Sequence, residues 1–402
     1  MYNVLCVLPV NEEEKGRLME AGGSACDYRW STQEGVTREE LEWADVLIGC
    51  VDKELLHDLP KLKFVQLDSA GSDSYAKLEL FHEPQNCLLS NSTGAYGGTI
   101  AEYMIGAIIM LIRHFQVYRD HMKEHKWQRV ELPTCITEHN TLVIGLGDIG
   151  VNFAERMKAL GCSVKAVRRT AGDKPDFVDE VGTLEDLPRL LPEADFVALC
   201  LPNSPQTQKV INKETLAMMK PSAILVNVGR GSAVDSDALA EALNAGRLGG
   251  AALDVTDPEP LPADHPLWDC RNCLVTPHVA GLFRQLYPFH RIVERSVTNL
   301  AHFVKGEPLE SVVDLKTGYR VSRSEDLRRR NCFCDISTAI GGRSSFSHCG
   351  SALCASSHTG SKGSSRSRPR KHRQRSRMRF PGSRTTSGCG TWRRTSSSMA
   401  SI

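Results

Sequence analysis

The stretch Thr141-Leu-Val-Ile-Gly-Leu-Gly-Asp-Ile-Gly150 limits what this chain can fold into more than any other. Four residues of strand character, Thr141 to Ile144, run straight into Gly145-x-Gly147-x-x-Gly150. Val151 to Leu160 then has helical periodicity, and Gly161 stands where a C-terminal cap belongs. Strand, tight turn and helix in that order are what a dinucleotide site requires. Gly145 lets the chain turn, Gly147 lets backbone approach a pyrophosphate, and Gly150 lets helix and strand pack closely. The pyrophosphate charge then meets unpaired N–H groups at the helix start. A lone GxGxxG is a weak signal, but this one is followed by Ser163-Val-Lys-Ala-Val167, a second strand.

The alternation continues on both sides. Strands are predicted at 141–145, 163–167, 195–201, 223–228, 250–254 and 273–276, with helices at 151–160, 184–191, 213–219 and 237–245. Six strands alternating with helices predict a doubly wound, parallel-sheet Rossmann domain, placed at 98–285. Residues 1–97 read as a smaller α/β unit, with strands at Asn3–Pro9, Val46–Cys50 and Lys63–Leu67 and a helix at Glu12–Ala21. Asp68-Ser-Ala-Gly-Ser-Asp73 is a small-residue loop at a strand's C-terminal end, where ligands bind in such sheets. Thr99 to about Lys123 reads as one long helix. Ile100, Met104, Ile108, Leu111, Phe115 and Tyr118 share one face of it. A last helix at about 285–305 is expected to return to the first unit, which residues 286–320 would complete.

From about Thr317 the pattern stops. Residues 321–402 hold 20 serines, only six Val, Ile or Leu, and 17 Lys+Arg against 3 Asp+Glu, a net of +14. The whole chain is formally +1, so the first 320 residues carry +1 − 14 = −13. Such a tail cannot bury enough apolar surface to offset the entropy of ordering, and it is expected to be disordered. Its run Arg366–Arg379 suits a polyanion, yet no aromatic interleaving or zinc-ligand spacing accompanies it, so nucleic acid is not the expected partner.

Nine of the 14 cysteines precede residue 321 and are scattered, with Cys6, Cys162 and Cys200 in or beside apolar runs. This fits reduced thiols in an intracellular enzyme. Cys270-x-x-Cys273 lacks the second pair or histidines that a metal would need. The N-terminus has no basic stretch before its apolar run, and the most apolar helix, Tyr103 to Ile112, has about half the length that spans a bilayer. A soluble, cytoplasmic protein is expected, with neither membrane nor metal.

Three polar residues lie at or just past predicted strand ends: Arg230 in Val226-Asn-Val-Gly-Arg-Gly-Ser232, Glu259 in Leu253-Asp-Val-Thr-Asp-Pro-Glu-Pro260, and His278 in Val275-Thr-Pro-His-Val-Ala-Gly281. Singly, each has an ordinary structural explanation. Together they supply what hydride transfer to a 2-oxo acid needs. A cation pairs with the substrate carboxylate, and a histidine delivers a proton to the carbonyl oxygen as hydride reaches the carbon. A carboxylate beside the histidine fixes its tautomer and favours the imidazolium.

At this point the chain resembles the D-isomer-specific 2-hydroxyacid dehydrogenases, the family of glyoxylate/hydroxypyruvate reductases and phosphoglycerate dehydrogenase. The matching stretches are Ser69–Gly71, Gly94-Ala-Tyr-Gly-Gly-Thr-Ile-Ala-Glu102, Gly145–Gly150, Leu201–Thr207, Asn227–Gly231, Ala252–Pro262 and Thr276–His278, in the family's order over about residues 1–320. The resemblance implies a flavodoxin-like α/β substrate domain split around the Rossmann domain, and a homodimer joined through the long helix. It implies that Arg230 binds substrate, that His278 is the acid/base and that Glu259 is its partner. By the same resemblance, backbone N–H groups of Ala70 and Gly71 cradle the substrate carboxylate, Asp148 and Ile149 meet the pyrophosphate, and Asp254 holds the nicotinamide carboxamide. Leu201, Pro202, Thr207, Val228 and Gly229 line the cofactor cleft.

Two departures stand out. The second strand ends in Val167-Arg-Arg-Thr170, where an NAD-binding chain places an acidic residue for the ribose 2′-hydroxyl. Arg168 and Arg169 suit a 2′-phosphate, so NADP is expected in preference to NAD. Thr256 stands where the family often has an aromatic residue. The expected activity is reduction of a small 2-oxo acid such as glyoxylate or hydroxypyruvate. One alternative is a phosphoglycerate dehydrogenase, against which the region after residue 320 lacks the alternation of a regulatory domain. Formate dehydrogenase, a relative, carries a Gln where Glu259 stands. The other alternative is a dinucleotide-sensing, corepressor-like binding protein, which would keep the same three polar residues.

Overall fold

The computed structural model describes residues 1–130, 134–170, 174–316 and Gly318. The expectations for 321–402, including the Arg366–Arg379 contact, lie outside the described residues. The chain runs β1 (Tyr2–Cys6), α1 (Glu12–Gly22), β2 (Cys26–Trp30), α2 (Arg38–Trp43), β3 (Val46–Ile48), β4 (Phe64–Gln66), β5 (Leu88–Ser90), α3 (Gly97–Ile112) and α4 (Phe115–Lys123). It continues β6 (Asn140–Ile144), α5 (Asp148–Ala159), β7 (Ser163–Val167), β8 (Glu180–Gly182), α6 (Leu187–Leu190), β9 (Phe196–Leu199), α7 (Lys213–Met218) and β10 (Ile224–Asn227). Then come α8 (Ser236–Asn244), β11 (Gly250–Leu253), β12 (Cys273–Val275) and α9 (Leu286–Lys305).

Two parallel sheets result. The first has the order β2-β1-β3-β4-β5, the flavodoxin-like 2-1-3-4-5 pattern. Helix α1 starts because Asn11 and Glu14 exchange side-chain-to-backbone hydrogen bonds, each 2.9 Å, as a capping box. Helix α9 ends on Gly306, which takes the left-handed conformation (φ 68°). Its Phe303 stacks on Phe64 of β4, with ring centroids 5.3 Å apart, so the helix covers the first sheet. Val312 also bridges Ser90 at that sheet's edge.

The second sheet has the order β12-β11-β10-β9-β6-β7-β8. Read from β8, this is the doubly wound 3-2-1-4-5-6 order with one strand added, and the order reverses between β6 and β9. Its central strands are buried on both faces, as covered parallel sheets require: Val143, Ile144, Val197, Leu199, Leu225 and Val226 are fully buried. No single helix among the described residues is long and apolar enough to cross a membrane. The apolar character of α3 is accounted for by burial of Ile100, Met104, Ile108 and Leu111.

The expected long helix from Thr99 to Lys123 is two helices, not one. His114 adopts φ 57° and the axes bend by 62°. The left-handed residue stops the hydrogen-bond ladder, and beyond it the stripe leaves the core: Phe115 is 53% exposed. Three strands, β2, β5 and β8, add to those expected. The helix expected at 184–191 is only four residues of α-helix flanked by tighter 3₁₀ turns.

Candidate active site

Strand β6 delivers the chain to the point where the second sheet reverses. Gly145 has φ 106°, and a Cβ there would lie 2.6 Å from the Cys200 carbonyl oxygen just past β9. Gly150 packs tighter still: its Cβ would be 2.0 Å from Gly145 O. Gly147 differs from both, since a Cβ there would meet nothing within 4 Å. It is the N-cap of α5 and offers no side-chain cap. The N–H groups of Asp148 and Ile149 therefore have no acceptor among the described residues. The loop is closed on its inner side and open on its outer side, with helix donors uncapped. That cradle fits a dinucleotide pyrophosphate.

The Asp148 side chain points elsewhere. Its Oδ2 accepts from Gly94 N (3.1 Å) and Gly97 N (3.0 Å), so it caps α3 and ties that helix to the cradle. Leu201, Thr207 and Val228 are buried, whereas Pro202 is exposed. Thr207 Oγ1 holds the turn by bonding Pro202 O (2.8 Å), and a Cβ on Gly229 would lie 2.5 Å from Leu201 O. These five residues thus form one wall where β9 and β10 end. At the end of β7, Arg168 N donates to Gly182 O (3.0 Å), while its buried Nε has no hydrogen-bond partner among the described residues. A buried donor of that kind is costly unless water or a ligand supplies the acceptor. Arg169 beside it is exposed.

The turn that carries His278 is built from the end of β12. His278 is held at φ 53°, with its N–H shared between Asp254 O (2.9 Å) and Thr276 O (3.0 Å). A non-glycine residue keeps that conformation only where its surroundings impose it. His278 Nδ1 lies 2.8 Å from Glu259 Oε1. A carboxylate only accepts, so Nδ1 carries the hydrogen and Nε2 is the nitrogen left for other chemistry. The pair is half exposed. Asp254, 3% exposed, holds the turn itself: Oδ1 accepts from Thr276 Oγ1 (2.6 Å) and Val279 N (2.8 Å), and Oδ2 accepts from Ala280 N (2.9 Å). Thr276 spends its one hydrogen on Asp254, so Tyr103 on α3 is the donor in its 2.5 Å bond to Thr276 Oγ1.

Arg230 projects from the turn after β10. The fully buried Asn227 shapes that turn by donating to Arg230 O (2.9 Å) and accepting from Gly229 N (3.1 Å). The guanidinium crosses to the loop after β4, where Nε donates to Asp73 Oδ2 (2.6 Å). That loop is tied down by Ser69 Oγ to Gly71 O (2.7 Å) and Asn91 Nδ2 to Ala70 O (2.8 Å). The N–H groups of Ala70 and Gly71 have no acceptor among the described residues. The structure thus joins His278 to Glu259, and Arg230 to the Ala70–Gly71 loop; among the described residues no hydrogen bond links the two groups.

Sequence reasoning missed Asp73, Asn91, Tyr103, Asn227 and Thr276 as members of the site. The last two stand inside motifs already singled out. Asp73 lies in the small-residue loop already noted, but its partner is 157 residues away; Tyr103, with its partner 173 residues away, gives no local signal. Thr256, the departure noted above, is buried and closes its own loop through Oγ1 to Pro258 O (2.9 Å).

Comparisons with known proteins bear on the family and the fold. The family model described as "D-isomer specific 2-hydroxyacid dehydrogenase, NAD binding domain" matches residues 105–280. A Corynebacterium melassecola protein known only as the uncharacterized protein in the proB 3′ region is 36% identical over 284 residues, 70% of this chain and 92% of its own length. Glyoxylate/hydroxypyruvate reductase B of Pectobacterium carotovorum is 32% identical over 271 residues, 66% of this chain and 83% of the reductase. The crystal structure of a D-isomer specific 2-hydroxyacid dehydrogenase from Xanthobacter autotrophicus Py2, in complex with NADPH and MES, is 28% identical. It aligns with a TM-score of 0.66 over 79% of this chain and 99% of that one.

Proposed function

The chain belongs to the D-isomer-specific 2-hydroxyacid dehydrogenases and is an NAD(P)-dependent oxidoreductase; we propose that it reduces a small 2-oxo acid, such as glyoxylate or hydroxypyruvate, to the D-2-hydroxy acid, with NADPH preferred to NADH. The observation that carries this reading is the 2.8 Å pairing of His278 Nδ1 with Glu259 on a turn locked by Asp254. Nε2, protonated in the imidazolium, gives its proton to the carbonyl oxygen. Glu259 keeps the ring oriented and balances the positive charge before that transfer. Arg230 and the N–H groups of Ala70 and Gly71 hold the substrate carboxylate. A reduced dinucleotide bound along Gly145–Gly150 would supply the hydride from its nicotinamide. Asp148 and Ile149 would donate backbone N–H groups to its pyrophosphate, and Asp254 would accept from its carboxamide. The unpartnered Nε of Arg168, with Arg169 beside it, supports contact with a 2′-phosphate.

A cytoplasmic homodimer completes the reading. The exposed Phe115, Met122 and Trp127 on and after α4 support a second copy there, and sedimentation at the monomer mass would remove that part.

The test is NADPH and NADH oxidation with glyoxylate, hydroxypyruvate and larger 2-oxo acids. Faster oxidation of NADPH with a small acid is expected, and His278→Ala should lower kcat about a thousandfold while NADPH binding is unchanged. Dinucleotide binding with no turnover of any acid would instead favour a sensor built on the same fold.

A further inference from the structure

The donors of Arg230 are divided before any substrate arrives. Nε is taken by Asp73 Oδ2 at 2.6 Å, and Nη1 donates to Gly229 O at 2.8 Å. The edge that faces the loop after β4 is Nη2: a Cβ on Gly71 would lie 2.2 Å from it. An arginine with a free Nε edge can swing on its flexible stem and present either of two forks to an anion. Here one fork is already closed. Asp73 lies on the same loop as Ala70 and Gly71, whose N–H groups are open, so the element that supplies the backbone cradle also holds the guanidinium against it.

We infer that Asp73 is a positioning residue for the substrate carboxylate: it occupies the Nε edge of Arg230 and aims Nη2 at the Ala70–Gly71 cradle. The inference rests on the reading that Arg230 binds that carboxylate. The Asp73 and Arg230 side chains are 37% and 30% exposed, so solvent screens their attraction. What the pair contributes is orientation, not stability. The loop is stiff enough to transmit it, because Ser69 and Asn91 each hold one of its carbonyls.

The experiment is steady-state kinetics of the full chain with glyoxylate and NADPH, for wild type, Asp73→Ala, Asp73→Asn and Arg230→Gln. Asp73→Ala should raise the KM for glyoxylate about tenfold, with a smaller change in kcat and none in the KM for NADPH. Asp73→Asn keeps an oxygen acceptor for Nε and should stay within about threefold of wild type. If Asp73 served stability alone, Asp73→Ala would lower Tm and leave the glyoxylate KM at its wild-type value; that outcome overturns the inference. A lowered KM also overturns it, since Asp73 would then be competing with substrate for Arg230. If Arg230→Gln itself keeps the wild-type KM, the carboxylate reading fails and takes the inference with it. If only Arg230→Gln raises the KM, the reading stands and Asp73 does not position.

Discussion

Gly145–Gly150 and Asp68–Asp73 both leave the C-terminal end of a parallel strand, and they are shaped by opposite means. The first is backbone packed on backbone: Gly145 against Cys200 O, Gly150 against Gly145 O, and no side-chain cap on the helix that follows. The second is held by side chains from five places. Gln33 donates to Asp68 Oδ2 (2.5 Å), and Tyr96 donates to Asp68 O (2.6 Å). Asn91, Ser69 and Arg230 complete it. A backbone-built loop has no tolerance at its packed glycines, here Gly145 and Gly150, and shows as a spacing in one stretch of sequence. A side-chain-built loop spreads its constraint over many residues, each contributing roughly one hydrogen bond, about 1 kcal/mol.

The largest effect should therefore come from the first loop. Gly150→Val places carbon where Gly145 O already sits, 2.0 Å away, with Val143 Cγ1 at 3.1 Å behind it. Neither neighbour can yield without moving β6, so a cost above about 3 kcal/mol is expected. NADPH titration followed by fluorescence should show affinity reduced at least about a hundredfold, with a lower Tm. Retained affinity would mean that the cradle is not where the cofactor lies. No single removal of Ser69 or Asn91 side-chain bonding should approach that figure.

Arg168 sharpens the contrast, because in the proposed function it would be a side-chain reader attached to a backbone site. Its Nε is buried without a partner among the described residues. Arg168→Gln should lower the ratio of kcat/KM for NADPH over NADH about tenfold, mostly by weakening NADPH, because one charged hydrogen bond is lost. An unchanged ratio would leave Arg168 as an ordinary strand-end cation.

The same contrast explains what the sequence disclosed. The doubly wound sheet is legible because central parallel strands are near-continuous apolar runs and the glycine spacing marks the switch point. The three strands that went unread, β2, β5 and β8, are all at sheet edges. Cys26–Trp30 alternates half-buried with exposed residues, and Glu180–Gly182 is only three residues long with none buried. Both lack the apolar run of a central strand, and Leu88–Ser90, though mostly buried, is too short to stand out. The break after α3 gives no warning either, since His114 takes a conformation usually left to glycine or asparagine. In the site, Arg230, Glu259 and His278 each follow a strand in a short motif and could be read. The loop that holds Asp73 could be read too, but its pairing with Arg230 could not, since the two follow strands of different sheets.

The smallest effect bears hardest on the comparison, because it asks whether the His278 turn behaves like the side-chain loop or like the glycine loop. Tyr103 donates to Thr276 Oγ1, Thr276 donates to Asp254, and Asp254 fixes the backbone of Val279 and Ala280 beside His278. Tyr103→Phe removes the first donor and leaves the other three bonds intact. Thr276 loses one accepted bond but keeps its own donation, so the cost should be about 1 kcal/mol. A Tm lower by about 2 °C and a kcat lower by about threefold are expected, with the KM for NADPH unchanged. A hundredfold loss of kcat at the same small change in Tm would show that the network acts as one unit, as rigid as the Gly145–Gly150 loop. The division between backbone-built and side-chain-built walls would then hold for Asp68–Asp73 alone.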